Sequence, residues 1–172
     1  APTGAPKTAP TIEIADDLLK LVVFYAANLA VPARGNATAD DVVQGRTLFT
    51  SIGCVRCHHP SFTTGARTDE PQLGGQTIWP YTDLLLHDMG EGLADDRPEG
   101  VADGREWRTA PLWGVGLTEV VNGHSFLLHD GRARSVEEAI LWHGGEAAPA
   151  QSAYRNLSKG ERDALVAFVK SL

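Results

Sequence analysis

The only two cysteines in the chain stand three residues apart and are followed at once by a histidine, in Cys54-Val55-Arg56-Cys57-His58. On one helical turn, residues i and i+3 project from the same side, so two thiols at this spacing can reach two vinyl groups of one planar ligand. The adjacent imidazole then points at the metal in its centre. C-x-x-C-H therefore predicts haem c, attached by thioethers at Cys54 and Cys57 with His58 as the proximal iron ligand. Other uses of the pair fit less well. A thioredoxin-like couple follows a strand in a βαβ pattern, and none precedes Cys54. Structural zinc needs two more ligands at regular spacing, which the sequence lacks. A disulfide over so short a separation would be strained.

Length and charge set the surroundings. The chain has 172 residues, a size that gives one core able to bury a cofactor. Its 15 Lys and Arg against 22 Asp and Glu leave a net charge of −7, and the lysines are few and scattered, which argues against a nucleic-acid partner. The longest apolar run, 18–30, is broken by Lys20 and Asn28 and falls short of the roughly 20 residues needed to cross a bilayer. No basic stretch, apolar run and cleavage site open the sequence, so a secretory signal is not expected within it.

Periodicity predicts a mainly helical chain. The proline-rich residues 1–10 read as a linker or tail, and 11–172 as a single folded domain. Ile14, Leu18, Leu21, Val22, Phe24, Tyr25 and Leu29 mark a first helix with a wide buried face, over 12–29. Thr38 signals the start of a second, with Val42, Gly45, Leu48 and Phe49 on one face, leading directly into Cys54. Ser135 with Glu138, and Ser158 with Glu161, read as capping boxes that open two late helices, one through Trp142 and one over 162–171. Between His59 and Arg134 there is no sustained period, only a turn near 81–87. A connection that long serves a site.

A haem iron used for electron transfer takes a sixth ligand, whereas one that reacts with peroxide keeps that position open. His59 follows the proximal ligand too closely to reach the opposite face. His143, just ahead of the last helix, is the expected sixth ligand, with Met89 as the runner-up. His124 and His129 read as structural groups. Arg108 and Arg132 are the candidates to bind haem propionates, because a guanidinium matches a carboxylate. Trp79, Trp107, Trp113 and Phe126 could wall the ring. The acids Asp95, Asp96, Glu99 and Asp103, in the stretch 91–106, could hold calcium, but they match no EF-hand loop and a solvated acidic loop is expected.

The segments G-C-V-R-C-H-H-P at 53–60, P-Y-T-D-L-L-L-H-D-M-G at 80–90, E-W-R-T-A-P-L-W-G-V-G-L at 106–117 and the run at 122–147 resemble the C-terminal haem domain of the bacterial di-haem oxidoreductases, often labelled thiol oxidoreductases. These are relatives of the di-haem cytochrome c peroxidases. The resemblance extends from about Thr11 to Leu172. It implies a cytochrome c-like helical haem domain with a long irregular central insertion, a periplasmic or otherwise exported setting, and a sixth ligand at His143, with histidine in place of the usual methionine. Such proteins carry two C-x-x-C-H motifs, and this sequence has one. The resemblance implies an N-terminal haem domain as a partner, and the net charge of −7 a redox protein with a basic docking face. One-electron transfer by one covalent haem is the expected function. A peroxidase using His87, His124 or His129 for acid–base work, or a redox-inert interaction domain, are the rivals.

Overall fold

The computed structural model describes residues 14–172. The expected linker at 1–10 lies outside them. The chain divides into two units at 31/32.

The first unit contains helix α1, Asp16–Ala27, with Asp16 and Asp17 in the first turn, where acids favour the helix dipole. Within this unit the wide buried face expected of it does not form, since no residue of α1 is buried there. The apolar period is real, but a single helix offers its own stripe nothing to pack against.

The second unit is built on α2, Asp40–Ser51, packed on α6, Lys159–Lys170. Val42, Gly45 and Phe49 of α2 and Ala164, Leu165, Phe168 and Val169 of α6 are buried, so both helices present the apolar faces read from the sequence. Gly45 sets their closeness, because a Cβ there would strike the Ala164 carbonyl. Phe49, Tyr81 and Phe168 close the core, with ring centres 5.2–6.0 Å apart. The start of α2 differs from expectation. Ala39, not Thr38, holds the cap position, and no side chain caps it.

Ser158 forms the full capping box with Glu161. Ser135 completes only half of one. Its hydroxyl accepts from Glu138 N–H at 3.0 Å, while the Glu138 carboxylate turns to the Arg134 N–H at 2.8 Å. It opens α4, Val136–Trp142, and α5, Ala148–Arg155, follows with Pro149 in its first turn. Within 59–134 lie the short helix α3, Thr118–Asn122, and two antiparallel two-stranded sheets. In one, β1, Phe62–Thr63, pairs with β2, Thr77–Ile78. In the other, β3, Leu86–Asp88, pairs with β4, Glu106–Arg108, setting His87 opposite Trp107. Strands of two and three residues are too short to show alternation, which is why no period is visible there. Among the described residues no helix is long and apolar enough to cross a membrane.

Candidate functional site

The Cys-x-x-Cys-His segment leaves α2 through Gly53, whose φ of 98° lies in the left-handed region that glycine enters without strain. Cys54–Arg56 then form one tight 3-10 turn. Its closing bonds run from the N–H groups of Cys57 and His58 to the Cys54 carbonyl, at 3.4 and 3.0 Å. Both thiols are free. Burial pushes the Cys54 thiol up to about 11, and that of Cys57 is raised for the same reason, reinforced by the charges of Asp83 and Glu146. Both are thus protonated in the polypeptide at neutral pH.

His58 is fixed from a distant loop. Its Nδ1 lies 3.0 Å from the Tyr81 carbonyl oxygen, which can only accept, so Nδ1 carries the proton and Nε2 is left with its lone pair. The ring of His143, at the C-terminal end of α4, is anchored in the same way. Its Nδ1 donates to the Ala139 carbonyl at 2.7 Å. Burial lowers both basicities, that of His58 to about 4, so both rings are neutral at physiological pH. Their centres are 6.4 Å apart. A metal between two imidazoles, about 2 Å from each nitrogen, would separate ring centres by roughly 6 Å. Two free thiols on one turn and two neutral imidazoles at this spacing form a donor set that suits an iron porphyrin.

The structure therefore gathers Cys54, Cys57, His58 and His143. Met89, the alternative, follows β3, and its backbone carbonyl lies against Gly144, beside His143. Arg132 has its guanidinium 4.9 Å from the Trp142 ring, with Nε 2.6 Å from Asp130 and Nη1 donating to the Gly92 carbonyl. Arg108 stands on β4, lining a cleft with Asp95, Arg97, Glu99 and Asp103. Trp107 stacks on His129 at 3.5 Å and donates its indole N–H to Leu93. Trp79 and Phe126 are exposed. In the acidic stretch, Asp103 pairs with Arg105, and Asp95 caps the Arg97 N–H.

One cluster escaped the sequence reading. His87 lies 2.9 Å from an Asp83 carboxylate oxygen through Nε2 and 2.9 Å from a Glu146 oxygen through Nδ1. A ring that meets a carboxylate at each nitrogen donates from both and is an imidazolium, and its pKa is raised, chiefly by Glu146. Cys57, Asp83 and His87 offer ligand atoms within 4.8 Å of one another, which puts the Asp83–His87 pair beside the Cys57 thiol. The Asp83–His87 spacing of four was visible in the sequence. Glu146 carried no signal, because the fold alone brings it across 59 positions.

A helical domain with paired, carbonyl-anchored imidazoles beside a Cys-x-x-Cys-His turn belongs to the haem-binding redox proteins. The chain belongs to the family described as "di-haem oxidoreductase, putative peroxidase", which matches residues 3–172. A solved structure of hydrazine synthase from Kuenenia stuttgartiensis is similar in fold, with a TM-score of 0.54 and 18% identity. That likeness covers 92% of this chain and 56% of the other, so this chain spans little more than half of the length of the chain it matches. No curated protein matches the chain.

Proposed function

We propose that this chain is a c-type cytochrome domain that carries one haem, bound covalently through Cys54 and Cys57, and passes one electron at a time. His58 and His143 are the proposed iron ligands. The observation that carries the reading is the pair of neutral rings 6.4 Å apart, each with its Nδ1 committed to a backbone carbonyl. Haem bound there supplies an iron that alternates between ferric and ferrous. The chain's part is to hold the macrocycle at two points, to turn each Nε2 lone pair inward and to bury both imidazoles so that they stay unprotonated. Arg132, stacked over the neighbour of His143, and Arg108 are the proposed propionate partners.

In this reading α2, α4 and α6 form a cytochrome c-like core, and 59–134 is an insertion that brings the Tyr81 carbonyl to His58. Thioether formation needs reduced thiols and takes place outside the cytoplasm, which supports a periplasmic or otherwise exported protein. The net charge of −7 supports a redox partner with a basic docking face. The family's description as di-haem supports a second reading, that the domain is the electron-transfer half of a two-haem enzyme whose other haem is held by a further domain.

A visible spectrum tests the proposal. Sharp α and β bands in the reduced protein, unchanged by carbon monoxide or peroxide, are expected from two histidine ligands. A high-spin ferric spectrum overturns it in favour of a peroxidase with an open position.

A further inference from the structure

The peptide unit between Tyr81 and Thr82 touches both the last residue of the haem-binding motif and the residue that follows it. Its carbonyl accepts from His58 Nδ1 at 3.0 Å, and its N–H donates to the His59 carbonyl at 3.0 Å. One rigid plane thus grips two consecutive histidines, and its tilt fixes the direction of the bond to His58.

That plane lies in an unfavourable stretch of backbone. Tyr81 has φ of 53° and Leu84 has φ of 61°, both left-handed values that residues with a Cβ seldom adopt. Such a conformation persists only where its surroundings over-determine it. The group that does so is the Thr82 hydroxyl. Thr82 is fully buried, its Oγ1 donates to the Thr109 carbonyl at 2.7 Å, and the same oxygen accepts from the Leu84 N–H at 2.9 Å. Thr109 in turn is tied to the loop by its N–H on the Leu85 carbonyl, at 3.0 Å. The Tyr81 ring, wedged between Phe49 and Phe168, anchors the other side.

We propose that Thr82 is a positioning residue that locks the Tyr81 carbonyl onto His58 Nδ1 and thereby sets how strongly His58 donates to a bound iron. The inference rests on the reading of His58 as an iron ligand. A firm acceptor at Nδ1 increases the imidazole's basicity, and a more basic ligand favours ferric over ferrous iron. Loosening the carbonyl weakens the donation and raises the midpoint potential.

The test uses the haem-loaded protein with Thr82→Val, which keeps shape and loses the hydroxyl, and Thr82→Ser, which restores it. Thr82→Val should favour the ferrous form by about tenfold, about 59 mV for a one-electron couple, while Thr82→Ser stays near the parent value. A low-spin parent whose potential is unmoved in Thr82→Val, even as its melting temperature falls, overturns the proposal and leaves Thr82 merely structural. A parent without low-spin bands rejects the ligand reading, and this inference with it. Should Thr82→Val fail to accumulate, proton exchange in the ferrous parent gives the answer. The His58 Nδ1 proton should exchange as slowly as the Thr82 amide if one locked plane holds both, and much faster exchange overturns the idea.

Discussion

His58 and His143 are held by carbonyls of different origin, one from a loop 23 residues away and one from the preceding turn of the same helix. Under the proposed ligation, replacing His143 with methionine exchanges a nitrogen ligand for a thioether, which favours ferrous iron, so His143→Met should remain low-spin with a raised midpoint potential. An unaltered spectrum and potential would point to Met89 instead, for which Met89→Leu is the matching variant. His87 adds a pH dependence of known sign. Its pKa is raised above 6.5 in the folded protein, so the Asp83 and Glu146 pairing contributes fully below pH 6.5 and is lost as pH rises through the raised value. The difference in melting temperature between the parent and His87→Gln should therefore shrink from about pH 6 to about pH 9. A difference that grows with pH would refute the imidazolium assignment. At this scale the sequence nominated Cys54, Cys57, His58 and His143, and the fold brings the two imidazoles together; the Cys-x-x-Cys-His part was legible because it is written in residue type and short spacing. Thr82, Asp83 and Glu146 have common side chains whose roles arise only from what they touch.

At the scale of elements, α2 and α6 carry the core and the motif together. Gly45→Val would force the Ala164 carbonyl and Phe168 Cβ of α6 away from α2, costing about 1–3 kcal/mol by overpacking. Urea unfolding should report it, and an unchanged midpoint would show that the helices can separate freely. Ser158→Ala removes a complete capping box and should cost about 1 kcal/mol, whereas Ser135→Ala, with only half a box, should cost less. The late helices were legible because each cap lies within four residues of its partner. The two sheets were not, since their strands are shorter than the period that would reveal them. Nor was α5 foreseen, for its small residues Ala148, Ala150 and Ser152 make no apolar stripe, and Tyr154 alone is buried.

At the scale of the whole molecule, the charge of −7 leads to a kinetic expectation. Electron exchange with a basic partner should slow as ionic strength rises, measured by stopped flow, and a rate indifferent to salt would remove the case for a lysine-rich docking face. The apolar face of α1 marks the limit of pattern reading. Periodicity predicted a helix, and one forms over Asp16–Ala27, yet a period cannot say what covers the face it defines. By itself the sequence determined the Cys-x-x-Cys-His motif and the principal helices, because each depends on neighbours within a turn or two of the chain. Only the tertiary structure decided which carbonyl holds His58, that His87 is clasped by two carboxylates, and that the two imidazoles come within 6.4 Å. Those contacts join residues 23, 59 and 85 positions apart, and no local preference encodes a meeting that depends on how the intervening chain packs.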